Sequence, residues 1–309
     1  MKSFSNKVAA ITGAGSGIGR ALAGNLAEAG CHLALSDVNG EGLKETAAIA
    51  ARYGVRVTTD LLDVSDKNAV YAWADKVVAD HGRVNLIFNN AGVALSGTVG
   101  GLSLDDYDWI MGINFNGVLY GTKAFLPHLE AAGEGHIVNT SSVFGLAAQP
   151  LMSGYNAAKF AVRGLTESLR QDLEVSGSCV SCSCVHPGGI KTNIARDSRS
   201  TESAQQLTGQ SAEDAAKEFE KLFITTPDKA AQVILKGVQK NRRRILIGPD
   251  ARLLDLMVRL FPTGYQKVFT RMIAFSRKRA LRKQKQRQNT TPGPNPNNRK
   301  AAAGGRGDV

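Results

Sequence analysis

Val8-Ala9-Ala10-Ile11-Thr12-Gly13-Ala14-Gly15-Ser16-Gly17-Ile18-Gly19 is an apolar run that breaks at once into glycines. A short apolar run bounded by turn signals reads as a buried strand, and the residues from Gly17 onward read as a helix. In that order they bring backbone N–H groups and the positive end of a helix to one point, where a pyrophosphate can be held. Glycine is needed there because a side chain would block the approach or the turn. Gly13, Gly17 and Gly19 are spaced G-x-x-x-G-x-G, with Ser16 and Ile18 between them, and not as the G-x-G-x-x-G fingerprint.

Working outward, the strand–helix unit recurs. Strands are predicted over 7–12, 32–36, 55–59, 84–88, 135–140, 178–185 and 244–247, and helices over 17–30, 40–53, 66–81, 104–131, 153–175 and 227–240. This alternation predicts an α/β, doubly wound parallel sheet with right-handed crossovers and helices on both faces. Residues 190–225 are polar and mostly helix-forming. The expected division is a single domain over 1–250, an amphipathic helical extension over 251–276 and a basic tail over 277–309, with 288–309 disordered.

The chain has 309 residues, 43% of them hydrophobic, which allows a large core. Formal net charge is +11, and residues 271–309 carry +10 of it, so the folded body is near neutral. No secretory signal opens the sequence and no apolar run approaches the roughly 18 residues of a spanning helix. Cys179, Cys182 and Cys184 read C-x-x-C-x-C but lack a second ligand pair, so a strand with small buried thiols is expected, in a reducing cytoplasm. His32, His81, His128, His136 and His186 are scattered, and no metal site is indicated.

Four further features stand in register. Asn89-Asn90-Ala91-Gly92 follows the apolar run Leu86–Phe88, Asn114 comes next, Ser142 lies thirteen residues before Tyr155, and Tyr155 and Lys159 are spaced Y-N-A-A-K. Residues four apart on a helix share a face, so the Lys159 cation is placed where it favours tyrosinate and lowers the Tyr155 pKa from about 10. Ser142 ends a strand at the edge of the sheet where ligands collect, and its hydroxyl can stabilise charge developing on a substrate oxygen. Together with the glycine turn, these residues resemble the short-chain dehydrogenase/reductase family over about residues 5–250.

The resemblance implies a Rossmann-type fold and hydride transfer between a nicotinamide cofactor and an alcohol/carbonyl pair, with Tyr155 as general acid/base. It implies that Lys159 also binds the nicotinamide ribose and that Asn114 holds a water linking Lys159 to solvent. It makes Asp63-Val64 the adenine contact, places Asn90, Ala91 and Gly92 beside the cofactor, and assigns Pro187, Gly188, Ile190 and Thr192 to the nicotinamide end. Asp37, about twenty residues past the glycine turn, suits the ribose hydroxyls and would repel a 2′-phosphate, which favours NAD over NADP. Arg20, the nearest cation, is expected to point along its helix.

The substrate pocket is expected from 93–101, 143–153 and 190–223. Gly145, Leu146, Ala147, Leu151 and Met152 suggest an apolar wall and hence a small hydrophobic alcohol or carbonyl substrate. The family implies a homodimer or homotetramer. Two rival readings are an NADP-dependent reductase of lipid or acyl-carrier ketones, and a non-catalytic nucleotide-sensing module that binds a membrane or partner. Residues 252–261 and 265–273 are amphipathic and 277–287 strongly basic, which suits peripheral contact with an anionic membrane. The alternative is a helix over the active site or a neighbouring subunit with a solvated extension. Nucleic-acid binding is not expected, since no aromatic platform accompanies the charge.

Overall fold

A computed structural model describes residues 1–221 and 223–290. Among the described residues the nine strands are β1 (Val8–Thr12), β2 (His32–Asp37), β3 (Val57–Leu61), β4 (Leu86–Asn89), β5 (Leu95–Ser96), β6 (Gly135–Thr140), β7 (Val180–Pro187), β8 (Arg199–Ser200) and β9 (Arg244–Ile247). The helices are α1 (Gly17–Glu28), α2 (Gly40–Ala51), α3 (Lys67–His81), α4 (Leu104–Met111), α5 (Gly117–Ala131), α6 (Ser153–Val175), α7 (Glu202–Thr208), α8 (Ala212–Glu220), α9 (Pro227–Gln239), α10 (Pro249–Leu260) and α11 (Gly264–Thr290). Seven strands form a parallel sheet in the order β3-β2-β1-β4-β6-β7-β9. The order reverses beside β1, so a crevice opens at the carboxyl ends of β1 and β4.

Period-two alternation along the strands feeds two cores. Ala9, Ile11, Leu33, Leu35, Leu86 and Phe88 face the side covered by α1, α2 and α9, where Leu22, Leu26 and Ile234 pack. Val8, Ala10, Ala34 and Ile87 face the other side, with Trp73, Val77, Phe125, Leu129 and Leu173. Trp73 meets Phe125 edge to face, with ring centroids 5.2 Å apart. The helix boundaries have local causes. Asp66 caps α3 and Gly82, at φ 77°, ends it, while Ser103 and Asp106 form a capping box on α4.

Several expected elements are corrected. The third strand lies two residues later, over Val57–Leu61, because it keeps register with β2 through Asp37↔Leu61. It is an edge strand with Leu61 exposed, so its hydrophobic pattern does not fix its ends. The strand expected at 178–185 is Val180–Pro187. The helix expected over 104–131 is interrupted by a π-helical turn, Gly112–Asn116. Cys182 and Cys184 are buried and their thiols are pushed up to about 12 by burial, but Cys179 is exposed.

Beyond β7 the chain crosses the mouth of the crevice. β8 pairs with β5 in a small parallel sheet, tying residues 190–225 to the loop after β4. Arg244 of β9 pairs with Asp255 of α10 and with Glu167 of α6, fastening α10 to β9 and β9 to α6, and Arg259 pairs with Asp255 within α10. The buried Tyr265 of α11 accepts a hydrogen bond from the Ala148 amide at 3.2 Å, and α11 also lies against α7. The extension thus packs over the substrate-side loops. Helix α11 passes residue 276 without a break and carries the basic run to Thr290, so 288–290, expected to be disordered, are helical. Residues 291–309, the remainder of the expected disordered tail, lie outside the described residues. Among the described residues no helix is long and apolar enough to cross a membrane.

Candidate active site

The crevice is built on the glycine turn. Gly13 and Gly17 adopt φ of 64° and 51°, a region that disfavours side chains. A Cβ on Gly13 would lie 2.8 Å from the Ala91 Cα, and one on Gly17 3.0 Å from the Thr192 methyl. Ser16 stands at the N-cap of α1 but makes no side-chain cap, in contrast to Asn39, Asp66, Ser103 and Thr226 on other helices. The first amides of α1, at Gly17, Ile18 and Gly19, therefore face the crevice with no side-chain acceptor, a fit for an anionic group.

Asp37 lies beside this turn. Its Oδ2 accepts from the Gly15 amide at 2.8 Å and its Oδ1 from the Asn39 amide at 2.9 Å. A carboxylate has about four lone-pair sites, so capacity remains for hydroxyl donors. Arg20 does not simply point along its helix, as the sequence suggested. It is held under the turn by the Gly15 and Gly42 carbonyls, the Thr46 hydroxyl and Glu45.

The loop after β4 is tied to the turn by Thr12, which sequence reasoning did not single out. The Thr12 hydroxyl accepts from the amides of Asn90 and Ala91, both at 3.0 Å, while the Asn90 side chain donates to the Thr12 and Gly13 carbonyls. Asn90 thereby spends its amide group on the loop. Asp63 is exposed and accepts from the amide and hydroxyl of Ser65; Val64 is buried against Gly117.

At the far end of the crevice, Pro187 closes β7 and Gly188 donates to the Ile247 carbonyl. Asp250, also missed, accepts from the Gly189 amide at 2.6 Å and lies against Gly188. Ile190 bridges to Thr225, which sets Thr192 against Gly17. No local signal marks Asp250, since its contact spans 61 residues.

Ser142, Tyr155, Lys159 and Asn114 come together between β6, the π-helical turn and α6, and all four are buried. The Ser142 oxygen accepts from the Phe144 amide at 3.1 Å, which leaves its proton free to donate. His186, whose imidazole burial pushes down to about 4, is neutral at pH 7. Its Nδ1 lies 2.9 Å from the Ser142 carbonyl; a carbonyl can only accept, so Nδ1 carries the proton. Burial raises the Tyr155 pKa above its ordinary value, and a hydrogen bond with Ser142 opposes the rise. This corrects the expectation that the Tyr155 pKa is lowered by Lys159. The Lys159 ammonium is 5.7 Å from the Tyr155 ring centroid and donates to the Thr140 carbonyl at 3.0 Å, and burial pushes its own pKa down to about 8.

Asn114 owes its placement to the π-helical turn. Its amide pairs with both backbone groups of Val93, at 2.8 Å each. Gly92 leaves a gap between them. A Cβ there would lie 3.1 Å from Asn114 Oδ1 and 3.3 Å from Lys159 Nζ, so both polar atoms face one small space. Beneath the site Asn89 donates to Asn139 and Asn139 to Thr166, a buried chain joining β4, β6 and α6.

This arrangement can protonate or deprotonate an oxygen beside a nucleotide crevice, and the sequence comparison agrees with it. The profile of the family described as short chain dehydrogenase matches residues 7–203. The chain belongs to the short-chain dehydrogenase family. It is 48% identical over 275 residues to SadH of Mycobacterium tuberculosis, described as an oxidoreductase; the match covers 89% of this chain and 98% of SadH. A short-chain dehydrogenase/reductase from Burkholderia phymatum, solved in complex with NAD, superposes with a TM-score of 0.77 at 33% identity, over 86% of this chain and 97% of that one. An alcohol dehydrogenase from Thermococcus sibiricus, complexed with 5-hydroxy-NADP, gives a TM-score of 0.66 at 28% identity, over 78% and 95%. The family assignment makes the chain an oxidoreductase.

Gly92→Ala should narrow the gap between Asn114 and Lys159 and leave both cores untouched. Turnover is expected to fall by about tenfold, since small misplacements near reacting groups are costly, with the melting temperature nearly unchanged. Equal turnover of the two forms would show that the gap has no role.

Proposed function

We propose that this short-chain dehydrogenase interconverts a small hydrophobic alcohol and its ketone or aldehyde, with NAD as cofactor and Tyr155 as general acid/base. The observation that carries the reading is the buried group of Ser142, Tyr155 and Lys159 beside an uncapped glycine turn. When bound, NAD supplies the hydride acceptor or, reduced, the donor. Its pyrophosphate would be held by Gly13, Ser16, Gly17, Ile18 and Gly19, its ribose by Asp37, its adenine by Asp63 and Val64, and its nicotinamide end by Asn90, Ala91, Gly92, Lys159, Pro187, Gly188, Ile190 and Thr192.

In the reducing direction Tyr155 donates its proton to the oxygen that gains charge, and Ser142 donates a hydrogen bond to the same oxygen. In the oxidising direction Tyr155 accepts the alcohol proton. Lys159 stabilises the tyrosinate by its charge, and Asn114 would hold a water beside it in the space that Gly92 leaves open. The raised Tyr155 pKa favours the protonated, donating form at neutral pH. Asp37 supports NAD over NADP, because a 2′-phosphate would meet a carboxylate and Arg20 is already engaged with Glu45 and backbone carbonyls. The apolar cluster around Tyr155, with Val93, Ala94, Leu95, Phe144, Met152 and Ile194, supports a hydrophobic substrate. A homodimer or homotetramer in the cytoplasm is the quaternary state and setting we propose with it. A module that only senses nucleotide would not need the Tyr155–Ser142 pair.

Tyr155→Phe keeps the ring and removes the titrating hydroxyl. Nicotinamide absorbance should report a loss of at least roughly 100-fold in turnover, with NADH binding retained in a fluorescence titration; wild-type turnover would overturn the assignment. Asp37→Ala should weaken NAD and admit NADP. A native enzyme that already prefers NADP would refute the reading of Asp37.

A further inference from the structure

The C-terminal helices present an apolar face that the catalytic site does not use. On α10, Leu253, Leu256 and Leu260 are spaced three and four apart and are 68%, 53% and 62% exposed, with Phe261 beside them. On α11, Val268, Met272 and Phe275 follow the same spacing and are 46%, 54% and 70% exposed. The side of α11 next to this stripe is the one that packs inward, through Tyr265, whose hydroxyl accepts from the Ala148 amide. Each outer stripe has a basic flank. Arg252 and Arg259 border that of α10, and Lys267, Arg271, Lys278 and Arg282 border that of α11. The two acids of this segment are engaged elsewhere, Asp250 with the Gly189 amide and Asp255 with Arg244 and Arg259. Arg259 is thus partly compensated, but among the described residues no acid pairs with Lys267, Arg271, Lys278 or Arg282, so the stripe of α11 is apolar with a cationic edge.

We propose that the outer face of α10 and α11 docks on an anionic lipid surface, lying in the interface and not spanning it. Exposed leucine, methionine and phenylalanine on one side with Lys and Arg beside them is the pattern of an interfacial helix. Charge favours lipid over a second copy of the chain, because two copies meeting through this face would bring like charges together. The clasp between Tyr265 and Ala148 holds the docked helices against the substrate-side loop, so the mouth of the crevice would sit close to the lipid. This docking does not depend on the catalytic reading, since it is measured without turnover.

The test is co-sedimentation of the full-length chain with phosphatidylglycerol-containing vesicles and with phosphatidylcholine vesicles, at low and high salt. The native chain should partition to the anionic vesicles and be released by salt. Replacing Arg271, Lys278 and Arg282 by Gln should weaken partition by about fivefold per charge, equivalent to about 1 kcal/mol each. Leu256→Ser with Phe275→Ser should abolish it. An unchanged melting temperature shows that each variant is folded. A native chain that stays in solution with anionic vesicles overturns the proposal. So does a chain whose mass in solution, and not its lipid binding, changes with the apolar substitutions, for then the face joins two copies.

Discussion

A buried lysine governs the arrangement of this site. Lys159 is only 3% exposed, its ammonium rests on the Thr140 carbonyl, and burial brings its pKa to about 8. A cation in such a place is costly unless fixed groups around it take over part of the work of water. Much of the surrounding structure fixes those groups. The parallel pairing of β6 with β4 and β7 sets the Thr140 carbonyl, the Ser141 hydroxyl holds the Lys159 carbonyl, and the Asn89–Asn139–Thr166 chain locks β4, β6 and α6 together. The π-helical turn then brings Asn114 to the same space, while Gly92 keeps that space open.

The two titrating groups are tuned in opposite directions by one cause. Burial makes both charged forms harder to keep, so tyrosinate is disfavoured at Tyr155 and ammonium at Lys159. Each charge is then more dependent on the other, and on Ser142, than it would be in water. His186 supports Ser142 from behind and contributes no charge at neutral pH. The polar groups nearest the reacting position are thus held by backbone and neutral side chains, with a single cation among them.

Much of this was legible in the sequence. The strand–helix alternation, the glycine turn and the Tyr155–Lys159 spacing are local patterns, and local patterns survive in a linear string. What was illegible depends on contacts between distant segments. The π-helical turn leaves no mark in the periodicity of 104–131, because its residues keep helical dihedrals on both sides. Asp250 reaches Gly189 across 61 residues, and Thr12 reaches Asn90 across 78. The expected lowering of the Tyr155 pKa assumed that the neighbouring cation outweighs burial, which only the depth of the site could decide. The inward turn of α11 through Tyr265 was likewise one of two readings of the same amphipathic pattern.

Lys159 carries a charge that burial has made easy to lose, and the site depends on that charge. The pH dependence of kcat/KM for carbonyl reduction, which reports pKa values of the free enzyme, tests it directly. Tyr155 should stay protonated throughout, so the rate should fall as pH rises through about 8, where Lys159 loses its proton. A Lys159→Arg variant that folds and keeps any turnover should lose that inflection, because arginine stays charged. A native profile that stays level up to pH 10 would contradict the account.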